Sequence, residues 1–215
     1  MSHIVHSLIR KILLPLVIWQ RFLLSSSSIL KTSGWLKSYV SRKPVGADGS
    51  PIPWMNYAAV DFLKKRLRSD FYLFEWGSGY STLFFSERVS SVTSVEYDSN
   101  WFELVRAQAP ENAQIIHQAH DQDGYVNAIS TTTHAYQVIV VDGRERVRCF
   151  YASFAKLTED GVIILDDSNR EKYQPAFEQA EKMGFKRIDF IGLKPRSHRS
   201  HQTTIFYRPD NCLRI

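Results

Sequence analysis

Short apolar runs alternate with stretches of helical spacing from Phe71 to the C-terminal part of the chain. This alternation is typical of parallel strands joined by crossover helices. It predicts strands at 71–75, 92–96, 113–117, 136–142, 162–166, 185–191 and 203–208, with helices at about 81–88, 101–108, 124–130, 147–157 and 171–183. A chain of 215 residues with 44% apolar content has enough material for one α/β domain of this kind.

The last two predicted strands differ from the others in their spacing. About eleven residues separate them, too few for a crossover helix. We therefore expect them to pair as an antiparallel hairpin. The predicted fold class is α/β, with a seven-stranded, mostly parallel sheet, helices on both faces and an antiparallel C-terminal hairpin.

The N-terminal extension, residues 1–33, has a helical pattern of its own. Two rows of apolar residues repeat every four positions, with Arg10 and Lys11 on the other side: Ile4, Leu8, Ile12, Leu16 and Val5, Ile9, Leu13, Val17. This pattern predicts a basic amphipathic helix. Its longest uncharged run, 12–20, contains Pro15 and is far shorter than the roughly 20 residues that span a bilayer. No small-residue cleavage site follows, so we do not expect a secretory signal.

Charge separates this extension from the rest of the chain. Residues 1–47 carry seven Lys and Arg and no Asp or Glu, so the net charge of +5 leaves about −2 for 48–215. Two interpretations of residues 1–30 stand side by side: contact with an anionic membrane interface, and packing on the domain or on a partner subunit. An acid-poor organelle transit peptide is a third alternative.

Residues 34–53 are dense in Pro and Gly, which predicts a linker or a segment that covers a cofactor, followed by the main domain at 54–215. Cys149 and Cys212 have neither the spacing of a metal site nor the density of a disulfide scaffold. They favour a reducing compartment. The expected location is therefore the cytoplasm, at the membrane periphery if residues 1–30 bind lipid.

A glycine-rich turn, Glu75-Trp76-Gly77-Ser78-Gly79-Tyr80-Ser81-Thr82, joins the first strand to its helix. Ligands of open α/β sheets bind at this place, where glycines let the backbone approach the ligand and the helix offers free N–H groups. A dinucleotide fingerprint would need a third glycine where Thr82 stands. The turn therefore disfavours a nucleotide-dependent oxidoreductase.

An acidic residue followed by x-G-x-G, here Glu75 to Gly79, is similar to the first motif of the class I S-adenosylmethionine-dependent methyltransferases, whose fold is Rossmann-like. The resemblance implies that Glu75 holds the amino group of the cofactor, directly or through water, and that Glu96 binds both ribose hydroxyls. Adenine contacts are implied after the third strand. Ser81 replaces a glycine common in the family. The implied cofactor site comprises Glu75, Gly77, Ser78, Gly79, Tyr80, Ser81, Thr82, Glu96, Tyr97, His120 and Asp121.

The fourth and fifth strands end in Asp142 and in the pair Asp166-Asp167. Both ends lie at one edge of a parallel sheet, so we expect the three carboxylates to converge. They resemble the metal ligands of the catechol and caffeoyl-coenzyme A O-methyltransferases, which implies Mg²⁺ or another divalent cation, although the asparagine and the base lysine of that family have no counterpart here. In the alternative, Asp142 or Asp166 acts as a general base, or orients the cofactor and caps the next helix.

The runs V-V-D-G-R-x-R, G-V-I-I-L-D-D-S-N-R and T-T-I-F-Y-R look like those of little-characterised bacterial methyltransferases related to enzymes that O-methylate sugars and small molecules. The resemblance covers 54–208 and does not identify a substrate. We expect O-methylation of a small-molecule or sugar-type acceptor, with Arg144, Asp142 and Asp166 as catalytic residues. Clustered cations favour an acidic acceptor, and solvated arginines on a mobile loop are the alternative: Arg144, Arg146, Arg148, Lys194, Arg196, His198, Arg199 and His201.

Two further alternatives concern the class of function. Nucleic acid is disfavoured as a substrate because the domain lacks a basic stripe interleaved with aromatic residues, and no N/D-P-P-Y/F tetrapeptide follows the fourth strand. A cofactor-binding pseudo-enzyme tethered to a membrane by residues 1–30 is the alternative outside the enzymes. The presence of Glu75, Glu96 and Asp142 favours an active enzyme.

Overall fold

The structure is a computed structural model, and it describes residues 2–119 and 123–215. Its strands are β1 (Tyr72–Trp76), β2 (Ser91–Glu96), β3 (Ala113–His117), β4 (Tyr136–Val141), β5 (Leu157–Asp166), β6 (Lys186–Gly192) and β7 (His201–Tyr207). They form one sheet with the order β3-β2-β1-β4-β5-β7-β6. The pairs within β3-β2-β1-β4-β5 are parallel, and β7 runs antiparallel to both of its neighbours. The predicted fold class is confirmed.

The helices among the described residues are α1 (Ser2–Leu24), α2 (Ile29–Thr32), α3 (Trp35–Ser41), α4 (Tyr57–Arg66), α5 (Tyr80–Ser86), α6 (Ser99–Arg106), α7 (Asp123–Asn127), α8 (Arg146–Ser153) and α9 (Gln174–Lys182). Short 3-10 turns lie at Ala128–Thr131 and Glu171–Tyr173. The predicted helix 147–157 is too long at its C-terminal end. Leu157 already pairs with Tyr136 as the first residue of β5, so tertiary pairing overrides the local helical pattern.

The central strands are apolar on both faces because helices cover both sides of the sheet. One apolar layer contains Phe74, Trp76, Ile139, Val141, Ile163 and Leu165. The other contains Leu73, Val138, Val140, Val162 and Ile164. Successive residues of one strand thus enter opposite layers, as the two-residue period of a strand requires. The resulting rigid sheet places the C-terminal ends of β1, β2, β4 and β5 along one edge.

The closing hairpin lies beside β5 and brings its connecting loop to that same edge. Asp166, the last residue of β5, pairs with Thr203 near the start of β7. The loop 193–200 connects Gly192 to His201, and these two residues are paired across the hairpin. The hairpin therefore adds side chains of its own loop to the edge where the parallel strands end.

The N-terminal extension forms helices beyond the predicted first one. Ser28 caps α2 by accepting a hydrogen bond from the backbone N–H of Leu30. Helix α3 lies in the segment predicted as a linker, and the indole Nε1 of Trp35 donates to the carbonyl oxygen of Ser197 at 2.8 Å. Along the part of the chain that the structure describes, no helix is long and apolar enough to cross a membrane.

Candidate active site

A cavity of about 1020 Å³ opens at the C-terminal ends of β1, β2 and β4. This is the edge at which open α/β sheets bind their ligands. The wall is formed by Glu75, Gly77, Ser78, Ser81, Glu96, Tyr97, Asp98, Trp101, Asp142, Gly143, Arg144, Glu145, Arg146, Val147, Arg148, Arg170, Lys172 and Tyr173. Residues 34–53 contribute nothing to this wall, so their predicted role as a cofactor-covering segment has no support in the structure.

The turn after β1 is held together by a buried hydrogen-bond network. Thr82 and Ser94 donate their hydroxyls to Oε1 of Glu75, and Thr82 Oγ1 accepts the backbone N–H of Gly79 at 3.0 Å. Burial raises the pKa of Glu75 to about 7, against the opposing effect of these hydroxyls. Thr82 is completely buried and lies off the cavity wall. Its hydroxyl fixes the turn, and its contact with the cofactor stays a prediction.

Trp101 of α6 closes the turn from the other side. Its indole Nε1 donates to the carbonyl oxygen of Ser78 at 3.0 Å, and a Cβ on Gly79 would lie 3.1 Å from its ring. Gly79, with φ +134°, therefore has to be glycine. Gly79 and Tyr80 line a separate small groove beside Leu83, so the structure also places these two predicted cofactor residues off the main cavity.

Glu96 presents a carboxylate at the end of β2, and no Lys or Arg of the described residues forms an ion pair with it. Its Oε1 accepts the backbone N–H groups of Tyr97 and Asp98 at 2.9 and 3.0 Å, and its Oε2 accepts the hydroxyl of Ser78 at 2.7 Å. The residue is only 4% exposed but lies on the cavity wall. The Glu96 carboxylate is therefore fixed in place by three donors, at the edge of the cavity that follows β2.

The turn after β4 depends on Gly143, a glycine of the V-V-D-G-R-x-R run to which the sequence analysis assigned no role. A Cβ on Gly143 would lie 2.0 Å from the Tyr125 hydroxyl and 3.0 Å from the carbonyl carbon of Trp76. The Tyr125 hydroxyl accepts the backbone N–H of Arg144 at 3.2 Å, and the indole of Trp76 donates to the Tyr125 carbonyl oxygen. These contacts bring the turns after β1 and β4 together at the floor of the cavity.

Arg146 connects the ends of β4 and β5. Its Nη2 donates to the carboxylate and to the carbonyl oxygen of Asp142, both at 2.8 Å, and its Nη1 donates to the carbonyl oxygen of Asp166. Burial raises the pKa of Asp142, and the charge of Arg146 opposes that rise. The side chain of Asp142 is 26% exposed and lies on the cavity wall. A ligand in the cavity can therefore reach its carboxylate.

Asp166 and Asp167 lie behind the wall. Thr203 donates its hydroxyl to Asp166 at 2.6 Å, and burial raises the pKa of Asp166 to about 7. Burial opposes the charged form of Asp167 too, but Lys194, His201 and Arg170 outweigh it and lower its pKa to about 2. Lys194 Nζ lies 2.7 Å from Asp167 and 3.9 Å from Asp166.

The predicted divalent cation site at Asp142, Asp166 and Asp167 is therefore not supported. The three aspartates lie near one another, but Arg146 and Lys194 already occupy the positions between them that a metal ion would need. Among the described residues, no group of His, Cys, Asp and Glu has the arrangement of a metal site. Asp166 is 1% exposed and off the wall, so its burial does not favour the role of general base, which stays a prediction.

Charge is divided between the two sides of the cavity. The side after β1 and β2 carries Glu75, Glu96 and Asp98, and the other side carries Arg144, Arg146, Arg148, Arg170 and Lys172, with Asp142 and Glu145 beside them. The cations of the loop 193–200 were expected at the cavity mouth, but they lie outside the wall. Lys194 is instead bound by the buried aspartates, as is His201 at the start of β7.

Arg144 crosses between the two sides. Its Nη2 donates to the Tyr97 hydroxyl at 2.9 Å, and its guanidinium lies 5.0 Å from the centre of the Tyr97 ring. Both residues were predicted at the site, and both lie on the wall. Trp101, Arg170, Lys172 and Tyr173 were not predicted. Trp101 follows the helix cap Asp98 at helical spacing, which was a usable signal. Arg170 ends the G-V-I-I-L-D-D-S-N-R run, whereas residues 171–173 belong to no motif.

Two predicted site residues, the adenine contacts His120 and Asp121, lie outside the described residues. Glu75, Gly77, Ser78, Ser81, Glu96, Tyr97, Asp142 and Arg144 are all on the wall of one cavity. Their roles in binding or catalysis stay predictions.

No protein-family model and no curated protein sequence matches the chain. Solved structures do match. A precorrin-6y C5,15-methyltransferase from Geobacter metallireducens aligns with a TM-score of 0.58 and 15% identity, over 71% of this chain and 87% of that chain. A Streptococcus mutans protein described as a methyltransferase, in complex with SAH, gives 0.52 and 13%, over 69% and 94%. The fold is that of the class I methyltransferases.

The methyltransferase fold is not confined to methyl transfer. Spermidine synthase from Thermotoga maritima aligns with a TM-score of 0.54 and 14% identity, over 70% of this chain and 57% of that chain. Identities this low show the fold alone. The fold therefore sets the edge at which a ligand binds, and the side chains on the cavity wall decide which ligand it is.

Proposed function

We propose that the chain is an S-adenosylmethionine-dependent methyltransferase that acts on an oxygen of a small, anionic acceptor. The division of charge on the cavity wall carries this proposal: carboxylates lie after β1 and β2, and five cationic side chains lie opposite. One cavity thus offers a place for a positively charged cofactor next to a place for a negatively charged acceptor.

The acidic side fits the cofactor. Glu96 is fixed by three hydrogen-bond donors at the end of β2, and its carboxylate can accept both hydroxyls of a ribose when Ser78 turns its hydroxyl away. Glu75 is 1% exposed, so it suits the support of the turn and a weak attraction for the cofactor's ammonium group. When bound, the cofactor would supply an electrophilic methyl group and leave as a neutral thioether.

The cationic side fits an acceptor with a carboxylate or phosphate. Arg144, Arg170 and Lys172 are exposed at this side, and the ring of Tyr173 lies 5.1 Å from Lys172 Nζ. Guanidinium groups bind such anions with paired hydrogen bonds. The name of the spermidine synthase suggests a polycationic acceptor for that protein. The cations on this side of the cavity would repel such an acceptor.

Asp142 is the carboxylate that we assign as the proton acceptor, because it lies on the wall at the end of β4, beside the cationic side chains. In transfer to a hydroxyl, an O–C bond forms while the S–C bond breaks, and the hydroxyl proton goes to a base. The raised pKa of Asp142 and its exposed edge suit that role, and Arg146 orients the carboxylate. Asp142→Asn should lower kcat on a hydroxyl acceptor by roughly a hundredfold or more and remove the acidic limb of the pH profile. An unchanged profile would exclude Asp142 as the base.

Calorimetric titration of the full chain tests the cofactor. We expect S-adenosylmethionine and its demethylated product to release heat on binding, and NAD to release none. The absence of heat with S-adenosylmethionine would contradict the proposal. The titration with NAD distinguishes the proposed methyltransferase from a nucleotide-dependent oxidoreductase.

A methyl-release assay tests both the acceptor and the pseudo-enzyme alternative. The panel contains a uronic acid, a sugar phosphate, the matching neutral sugars and a short RNA. Turnover of the anionic sugars above the neutral ones supports the assignment. Equal turnover of neutral and anionic sugars contradicts the acceptor class, preference for RNA contradicts the small-molecule acceptor, and cofactor binding without turnover of any extract component favours a pseudo-enzyme.

A further inference from the structure

Helix α1 carries a long exposed apolar surface. Seven large side chains between Leu13 and Phe22 are 45 to 62% exposed: Leu13, Leu14, Leu16, Val17, Ile18, Trp19 and Phe22. At 100° per residue, Leu13, Ile18 and Trp19 point to different sides of the helix. A helix that is apolar on all sides is normally covered by something. The described part of the protein leaves this half of α1 uncovered.

Five cations of residues 11–43 have no acidic partner among the described residues. Lys11, Arg21, Lys37, Arg42 and Lys43 form no ion pair with any carboxylate in the described chain. Residues 1–47 contain seven Lys and Arg and no Asp or Glu. The exposed apolar surface therefore lies within a segment of one charge sign, and it needs a partner that is both apolar and negative.

We infer that the N-terminal extension docks on the surface of an anionic lipid bilayer, with Trp19 and Phe22 entering the interface and the cations facing the headgroups. Apolar burial and attraction of Lys and Arg to anionic lipid act together in such helices. A second copy of the chain would bring two segments of charge +7 into contact, which electrostatic repulsion opposes. The surface is too short and too interrupted for a spanning helix.

Helix α3, which follows the extension, is attached to the core at the edge that carries the cavity. Trp35 donates its indole N–H to Ser197 in the loop 193–200, and that loop lies beside the end of β5. Docking through α1 would therefore hold this edge near the lipid surface. The inference does not depend on the proposed function, because it uses only residues outside the cavity wall.

Vesicle co-sedimentation of the full chain tests the inference. The two arms are phosphatidylcholine vesicles with and without phosphatidylglycerol, each at low and high salt. We compare the unaltered chain with a Trp19→Ser/Phe22→Ser variant and with a matched Leu104→Ser/Ile191→Ser variant, whose apolar side chains are equally exposed but lie on the core. Circular dichroism and thermal unfolding confirm that all three are folded.

We expect the unaltered chain and the core variant to bind the anionic vesicles, the α1 variant to bind at least tenfold more weakly, and high salt to weaken all binding. Equal, negligible pelleting of the three chains would overturn the inference. So would equal binding by the α1 variant, or binding that ignores phosphatidylglycerol. Sedimentation analysis without vesicles should show no self-association through α1. A dimer lost only in the α1 variant would assign the surface to a second copy instead.

Discussion

The two sides of the cavity hold their carboxylates by different means. Glu96 is held by two backbone N–H groups and a hydroxyl, whereas Asp142 is held by the guanidinium of Arg146. Neutral donors leave the negative charge available to a ligand, and a guanidinium largely cancels it. Similar acidic residues at strand ends therefore have different partners. Glu96 keeps a carboxylate without a cationic partner among the described residues, whereas Asp142 takes part in the link between β4 and β5 and keeps one exposed edge.

Removal of Arg146 should have the largest effect on stability, because its guanidinium holds Asp142 on the cationic side of the cavity. Arg146→Met leaves the Asp142 carboxylate and three carbonyl oxygens without their donor. We expect a loss of about 3 kcal/mol in the free energy of unfolding, the lower end for a broken buried ion pair, since Asp142 keeps some exposure. Urea denaturation measures it.

The matched control is Arg106→Met, which removes an exposed pair with Glu103 and should change stability by less than about 1 kcal/mol. The double variant Arg146→Met/Asp142→Asn should recover part of the loss, because the unpaired carboxylate is gone. Equal effects of the two single variants would mean that Arg146 does not organise the site.

Glu75 provides a pH-dependent test of the acidic side. Burial raises its pKa from 4.5 to about 7, so the unfolded chain ionises at a lower pH than the folded protein. Stability should therefore fall as the pH rises between these values, by at most about 3 kcal/mol from this group. Glu75→Gln should flatten the slope of unfolding free energy against pH.

Asp166, whose pKa is also raised to about 7, would retain the remaining slope. Glu103→Gln, at an exposed carboxylate, is the control and should leave the slope unchanged. A Glu75→Gln slope equal to that of the unaltered chain would show that Glu75 is ionised at neutral pH in the folded protein.

Glu96 tests whether the acidic side binds the cofactor. Glu96→Gln keeps the shape but removes the charge that strengthens two hydrogen bonds to a ribose. We expect the Kd for S-adenosylmethionine to rise about thirtyfold, or about 2 kcal/mol, in calorimetry. Unfolding curves should stay close to those of the unaltered chain. An unchanged Kd would remove the ribose assignment and leave the rest of the proposal standing.

Arg144 should show the smallest effect, because it is exposed and one of several cations. Arg144→Gln removes its bond to Tyr97 and one positive charge at the acceptor side. We expect the KM for an anionic acceptor to rise tenfold or less, with the cofactor Kd nearly unchanged. Arg199→Gln, in a loop residue off the wall, is the matched control. Equal responses of the two variants would show that the cavity cations do not select the acceptor.

The strands and the first motif could be predicted because their signals are local. The apolar runs, the spacing of Glu75 and Glu96 and the short link before the last strand all follow from neighbouring residues. Thr82 was expected to touch the ligand for its position in the motif, yet its side chain turns inward to bond Glu75. The direction of the Thr82 side chain also depends on Ser94. Ser94 lies in β2, outside the motif.

The sequence by itself determined the order of strands and helices, the glycine turn and the acidic strand ends, because backbone periodicity and tight turns depend on nearby residues. The tertiary structure alone decided what partners those acids have. Arg146, Lys194 and His201 reach Asp142, Asp166 and Asp167 from different elements, so an apparent metal site became a set of ion pairs. Electrostatic partners are chosen by distance in space, and separation along the chain does not reveal that distance.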